Sequence, residues 1–362
     1  NFNSIRWLLL TGILPATLIL WCKIDYSANL FRFIGKKLML IVAAFITIAL
    51  IAALYFKDYA SIGRNNAYLN KLIVGAHLYN TYKYVDRTYL SPKAEFKTMG
   101  QDAKISHLAS NGKPNLIVFM LGETARSANY QANGYPRATN PFTEKYNMVS
   151  FNDVSSCGTA TAYSLPCMFS DFNQDNYDRS QARNQDNVFD ILGYAGISTF
   201  WKENDGGSKG VASRLDYMET DPSLKSENCN GNTCYDAELL ANFDQDISNI
   251  TSDNKILALH MIGSHGPTYW QRYPPKMSEF EPACNRSDIE NCSDKQIVNT
   301  YDNTIRYTDF ITASVIEKLQ SYEQDYNTAL VYISDHGESL GENGLFLHGA
   351  PYKLAPEEQT KV

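Results

Sequence analysis

Residues 329–333, Ala-Leu-Val-Tyr-Ile, form a short run of apolar and β-branched side chains that runs straight into Ser334-Asp335-His336-Gly337. A run of that length and composition predicts a strand buried on both faces of a parallel sheet. In open α/β sheets ligands sit beyond the carboxyl ends of the strands, where this run places a carboxylate, an imidazole and a glycine. Residues 115–121 repeat the arrangement and lead into Gly122-Glu123-Thr124-Ala125-Arg126. Residues 255–261 lead into Gly263-Ser264-His265-Gly266-Pro267, and residues 197–201 into Asn204-Asp205-Gly206-Gly207-Ser208-Lys209-Gly210. His348 follows in the loop Gly344-Leu345-Phe346-Leu347-His348-Gly349. The fold class this predicts is α/β: a mostly parallel sheet sandwiched by helices. Single features have plainer readings. Glu123 and Thr124 suit a helix start, the glycines around Lys209 suit a surface loop, and His260 inside its strand reads as a packed core residue.

The other end of the chain has a different character. Residues 7–22 and 38–56 carry no charge, and the second run is long enough to span a bilayer. Membrane helices are expected at about 5–22 and 38–56. The loop between them holds Lys23, Arg32, Lys36 and Lys37 against Asp25, which places that loop in the cytoplasm and everything after residue 56 on the opposite side. Residues 57–113, polar with interspersed tyrosines, read as amphipathic helices at the membrane surface and a linker. Residues 114–362 then form the globular domain. The chain opens on Asn1 and not Met, so further sequence is expected upstream. A net charge of −7 excludes a nucleic-acid footprint.

Beyond the membrane runs stand Cys157, Cys167, Cys229, Cys234, Cys284 and Cys292. An even number in three close pairs points to disulfides in an oxidising compartment, with local pairing preferred among the connectivities open to them. No spacing is the C-x2-C of a common zinc site.

Between Cys157 and Cys167 lies Gly158-Thr159-Ala160-Thr161-Ala162, running into sequence that suits a helix start. A hydroxyl there is a cap or, because free N–H groups at a helix start attract phosphate, a nucleophile. Thr159, Thr161 and Ser164 are the candidates. A hydroxyl is a poor nucleophile at neutral pH unless a metal lowers its pKa, and two carboxylates, a histidine and that oxygen make a four-coordinate zinc set. Phosphoryl transfer through a covalent intermediate is the chemistry that fits.

The segments around Glu123, Thr159, His265 and Asp335, with Lys57-Asp58-Tyr59-Ala60-Ser61 and Thr300-Tyr301-Asp302-Asn303-Thr304, resemble the phosphoethanolamine–lipid A transferases. That family includes the mobile colistin-resistance enzymes and belongs to the alkaline phosphatase/sulfatase superfamily. The resemblance implies an enzyme of a Gram-negative inner membrane with its catalytic domain in the periplasm. It implies transfer of phosphoethanolamine from phosphatidylethanolamine through Thr159 to a lipid A phosphate, weakening polymyxin binding. It also implies zinc held by Glu123, Thr159, Asp335 and His336, with His265, His348 and Lys209 on substrate phosphates or a second zinc, in a monomer. Against the family pattern, two membrane helices are visible where five are usual. The last strand and helices of the fold are expected beyond Val362, so the catalytic domain reads as incomplete. Ser208 and Ser213 replace a cysteine pair that some relatives carry. Alternatives are a phosphoglycerol transferase or another hydrolase of the superfamily, and an inactive lipid A-binding membrane protein. A sulfatase would carry Cys/Ser-x-Pro-x-Arg where Cys157-Gly158-Thr159 stands.

Overall fold

The computed structural model describes residues 30–65, 74–90, 95–105, 111–224 and 226–362. The chain divides into two compact units, Asn1–Ile73 and Val74–Val362. The first expected membrane helix, 5–22, lies outside the described residues. The second lies inside a longer helix, α1 (Leu30–Asn65). Its window Phe31–Ile51 is apolar and has no buried side chains, and it is the one helix among the described residues long and apolar enough to cross a membrane. After Lys37 the helix carries no charge as far as Phe56, a length and composition that suit a lipid span.

In the second unit, α2 (Val74–Val85) carries exposed Tyr79, Tyr82 and Tyr84 and is followed by a π-turn, Asp86–Leu90. The remaining helices and strands are β1 (Asn115–Gly122), α3 (Thr161–Met168), α4 (Arg179–Arg183), α5 (Val188–Tyr194), β2 (Ser198–Glu203), β3 (Asp216–Glu219), α6 (Phe243–Asn249), β4 (Lys255–His260), α7 (Asp294–Gln320) and β5 (Asn327–Ser334). A short antiparallel pair, β6 (Ser339–Leu340) and β7 (Phe346–Leu347), and short 3-10 turns in the connections accompany them.

The five main strands form one sheet in the order β3-β2-β4-β1-β5, and every pairing is parallel. Alternation along the strands splits the core into two layers. Leu116, Val118, Met120, Leu257 and Leu259 face α6 and α7 through Phe243, Ile247, Tyr307, Ile311 and Val315. Leu121, Ile256, Ala258 and Trp201 face the other way, onto Leu165, Phe169 and Phe189 from around α3 and α5. The sheet is therefore covered by helices on both sides, as a parallel sheet requires. The edge strand β3 is exposed along its whole length, and its short polar sequence carries no apolar run to announce it. The other edge is β5, expected from its apolar run to be buried on both faces: it pairs with β1 alone among the described strands and is only part-buried, with Ala329 and Val331 exposed.

Helix α7 begins at a capping box in which Ser293 accepts from the Gln296 N–H and the Gln296 side chain accepts from the Ser293 N–H. Tyr307, Ile311, Val315 and Leu319 reach the sheet layer. Ile297, Tyr301 and Ile305, one turn apart, join a third cluster with Tyr269, Leu340 and Leu347. The disulfides are Cys157–Cys167, Cys229–Cys234 and Cys284–Cys292, the local pairing that the spacing favours.

Gly263 is a point of close approach. At φ +48° its backbone is left-handed, and an added Cβ would lie 2.7 Å from the Glu123 carbonyl oxygen and 2.9 Å from its nitrogen. Gly263→Ala is expected to destabilise the protein by about 1–3 kcal/mol, through overpacking against backbone that cannot yield. A denaturant midpoint lowered without a change in slope would check it.

Candidate active site

Parallel register brings the strand ends level. Gly122 pairs with Ser334, Leu121 with His260, and Glu203 with His260, so the residues that follow all emerge at one edge. An added Cβ at Gly122 would come within 2.3 Å of the Tyr332 hydroxyl, so a larger residue there would displace that side chain. The next residues, Glu123 and Asp335, are fully buried, as is His336. Asp335 Oδ1 accepts from the N–H groups of Thr124 (3.3 Å) and His336 (2.7 Å), which leaves Oδ2 turned inward. Thr124 holds the left-handed conformation at φ 52°, rare for a β-branched residue and found where surrounding structure enforces it.

His336 Nδ1 donates to the Gly337 carbonyl at 2.9 Å, so the lone pair belongs on Nε2. That nitrogen lies 3.4 Å from Glu123 Oε1 and 3.4 Å from Asp335 Oδ2. None of these three buried atoms has a hydrogen-bond partner. Burial first, and the Asp335 and Asp205 charges after it, hold the Glu123 carboxyl well above the usual carboxylate range. Burial likewise lowers the proton affinity of His336. Two carboxylate oxygens and an imidazole lone pair converging without a donor are costly in a dry site, and a cation coordinated by all three removes that cost. The donor set fits a divalent metal of the zinc type.

The three hydroxyls left open by the sequence go to different places. Thr161 is the first residue of α3, after an extended Ala160 whose side chain makes no cap. Its Oγ1 donates to Glu123 Oε2 at 2.9 Å. Thr159 donates instead to the Ala350 carbonyl at 2.6 Å, and Ser164 donates to the Asp335 carbonyl. The resemblance points to Thr159, but the hydroxyl that the structure brings to the carboxylates is Thr161. The turn into helix at residue 161 decides this, and sequence spacing leaves it undecided.

Two further imidazoles, His348 and His265, stand beside this cluster. The His348 ring lies 4.5 Å from that of His336 and 5.5 Å from that of His265. Glu338 binds the His348 Nδ1 at 2.8 Å through one oxygen and accepts from the Tyr269 hydroxyl at 2.6 Å through the other. Burial, then His348 and Arg272, push His265 down to about 4, so it is a neutral imidazole at neutral pH. Arg272 Nε donates to the His265 carbonyl at 2.8 Å and fixes that loop.

Lys209 sits 3.6 Å from Asp205 Oδ2. Asp205 itself offers an oxygen to a group with Glu123 and His265 whose ligand atoms lie within 4.8 Å of one another, as do those of Glu123, His336 and His348. Burial pushes Asp205 up to about 6, against the pull of His260 and Lys209. Neither Asp205 nor Glu338 stands out by residue type. Asp205 nevertheless follows a strand end by the rule that finds Glu123, and Glu338 lies two residues beyond the Asp-His pair.

A buried carboxylate–imidazole cluster past the carboxyl ends of a parallel sheet, with a hydroxyl at a helix start, is the architecture of the alkaline phosphatase-like α/β enzymes. Residues 115–362 match the sulfatase family, and the chain belongs to it. Residues 1–89 match a second family described as phosphoethanolamine transferase EptA/EptB. The chain is 41% identical over 354 residues to phosphoethanolamine transferase EptA of Escherichia coli K12, covering 97% of this chain and 64% of that protein. It thus spans somewhat less than two thirds of that relative's length. The integral membrane lipooligosaccharide phosphoethanolamine transferase A of Neisseria meningitidis superimposes with a TM-score of 0.77 at 38% identity, over 99% of this chain and 67% of that one. The C-terminal periplasmic domain of EptC from Escherichia coli, solved in complex with zinc, gives a TM-score of 0.57 at 25% identity, over 70% of this chain and 72% of that one.

The protein is expected to bind one divalent cation at the Glu123–Asp335–His336 cluster. Affinity should fall by more than about 100-fold in Glu123→Ala or His336→Ala, beyond what loss of an outer hydrogen-bond partner costs. Thr159→Ala should leave it nearly unchanged. Calorimetric zinc titration of the three variants is the measurement.

Proposed function

We propose that this protein is a zinc-dependent phosphoethanolamine transferase, taking phosphoethanolamine from phosphatidylethanolamine and passing it to a lipid A phosphate through a phospho-threonine intermediate on Thr161. The observation that carries this reading is the Thr161 hydroxyl, held 2.9 Å from Glu123 Oε2 at the start of α3 and beside the three partnerless donor atoms. Support for the substrates comes from similarity to proteins named as phosphoethanolamine transferases.

Glu123, Asp335, His336 and Thr161 would hold the zinc ion. When bound, it supplies Lewis acidity that lowers the pKa of a coordinated hydroxyl and draws charge from a phosphoryl oxygen. The chain's own residues do the rest. Thr161 Oγ1 attacks the donor phosphorus, the bond to the glycerol oxygen breaks, and diacylglycerol leaves with a proton. An oxygen of the lipid A phosphate then attacks the same phosphorus, the bond from phosphorus to Thr161 Oγ1 breaks, and Thr161 regains its hydroxyl with a proton given up by the acceptor phosphate. The free N–H groups at the start of α3 and the Lys209 ammonium face the phosphate's negative charge. His265 and His348 line its other side as imidazoles.

In this reading α1 anchors the enzyme in the inner membrane and the second unit works in the periplasm, where its three disulfides form and persist. The transferred ammonium offsets negative charge on lipid A and lowers its attraction for cationic polymyxins such as colistin.

The test is to incubate the full-length protein with zinc and phosphatidylethanolamine, without acceptor, and weigh it intact. One phosphoethanolamine is expected on the peptide containing Thr161, absent in Thr161→Ala and retained in Thr159→Ala. An adduct that follows Thr159 would move the nucleophile back to that residue. Neither adduct nor diacylglycerol would remove the donor assignment, and an adduct from phosphatidylglycerol would replace it.

A further inference from the structure

Behind the Lys209 side of the site lies a buried polar chain that the transfer chemistry above does not use. His260, the last residue of β4, is wholly buried. Its Nδ1 lies 2.8 Å from Glu203 Oε2, and the ring packs edge-on against Trp201 at 5.7 Å. Glu203 is fully engaged. Oε2 also accepts from the Trp201 indole N–H at 3.0 Å, and Oε1 accepts from the Asp205 backbone N–H at 2.7 Å. The other imidazole nitrogen, His260 Nε2, has no hydrogen-bond partner and faces Asp205 Oδ2 at 4.0 Å. Asp205 therefore bonds Glu203 once, through its backbone N–H, and its carboxylate lies 4.0 Å from the imidazole that Glu203 holds. Its Oδ2 in turn lies 3.6 Å from the Lys209 ammonium, and Lys209 sits at a left-handed φ of 53°.

We propose that His260, held by Glu203 and Trp201, is a positioning residue that presents Nε2 to Asp205 and so fixes the carboxylate that aims Lys209 at the substrate phosphate. The inference rests on the reading of this edge as a phosphate-transfer site. Its physics is local. A core histidine whose only task was packing would not need its second nitrogen turned, unpaired, towards a carboxylate. With Nδ1–H given to Glu203, that nitrogen attracts Asp205 when it carries a proton and repels it when it carries a lone pair. Burial, the largest influence, works against the proton. The bond to Glu203, then the charges of Glu203, Asp205 and Asp335, outweigh it and raise the proton affinity of His260 above the usual histidine range.

Asparagine and glutamine separate the two nitrogens. The Asn amide nitrogen stands near the imidazole Nδ1 and keeps the bond to Glu203. The Gln amide nitrogen stands near Nε2 and keeps a donor towards Asp205. The experiment measures binding of O-phosphoethanolamine to the full-length zinc-loaded protein, the KM and kcat for phosphatidylethanolamine, and the thermal midpoint. In His260→Asn, Kd and KM are expected to rise about tenfold with kcat changed less than about threefold, and His260→Gln to restore most of the loss. Both variants should keep a midpoint within about 4 °C of the parent. Lys209→Met should show the same loss, and adding His260→Asn to it should cost little more, because the two act through one contact.

Unchanged Kd and KM in both variants would overturn the proposal. So would losses that follow a lowered midpoint, or recovery in His260→Asn and not in His260→Gln, which would leave His260 as a partner of Glu203 alone. If the parent protein binds O-phosphoethanolamine but transfers nothing from phosphatidylethanolamine, the donor reading fails and the binding comparison still decides the role of His260. If the parent does not bind O-phosphoethanolamine, there is no phosphate site for Lys209 to serve and the proposal falls with it.

Discussion

Uncompensated negative charge in a dry place is the constraint on which this structure turns. Glu123 and Asp335 are brought together, fully buried, by the pairing of β1 with β5, and His336 adds a lone pair and no proton. Such a cluster cannot be left to itself at neutral pH. It protonates, unfolds or takes a cation. The fold meets that demand by making the cluster rigid and leaving three ligand atoms without partners, with His336 Nε2 3.4 Å from each of the other two. Binding a cation there repays the cost of burial, and the same cation is what a hydroxyl at the start of α3 would need to become a nucleophile.

Rigidity comes from close backbone approach and from engaged side chains. Gly122, Gly263 and Gly337 each lie where a Cβ would strike a neighbour, two of them against backbone. Arg126, nearly buried, bonds the Glu338 carbonyl, Asn129 and Glu342, tying the loop after β1 to the loop after β5. Glu338 spends both oxygens, on Tyr269 and His348, so the outer imidazole is aimed as firmly as the inner one. Geometry fixed before the substrate arrives costs nothing at the moment of reaction, which is how a site of dipoles and charges stabilises a phosphoryl group in transfer.

The second unit is also an example of a sheet doing two jobs with one alternation. The same period that sends Leu116, Val118 and Met120 to one layer and Leu121 to the other also sets where the chain leaves the sheet. Edge strand β3 and helix α7 carry weak local signals. β3 is short, polar and exposed. Helix α7 hides its apolar period among buried polar residues such as Asn299, Thr300, Asp302, Asn303 and Thr304, although the spacing of Ile297, Tyr301 and Ile305 was there to be read.

How much of this was legible follows from the range of each interaction. Local chemistry determined the strands β1, β2, β4 and β5, the polar residues just past them, the local cysteine pairs and the long apolar helix, because periodicity and short spacings are properties of neighbouring residues. It did not show that β5 lies at an edge of the sheet and is only part-buried. Glu123, His265, Asp335 and His336 are legible that way as residues just past strand ends, and His348 as a residue of the loop after them. Lys209 was also found, but not the carboxylate, Asp205, that holds it. What sequence could not decide was which hydroxyl faces the carboxylates. Thr159 and Thr161 are two residues apart, equally plausible as letters, and only the turn into α3 sends one to Ala350 and the other to Glu123. Nor could it show that His260, a core histidine by its place in a strand, turns an unpaired nitrogen to Asp205. Those outcomes depend on side-chain direction across pairs far apart in sequence, 38 residues for Thr161 and Glu123 and 57 for His260 and Glu203, and direction at that range exists only once the sheet has assembled.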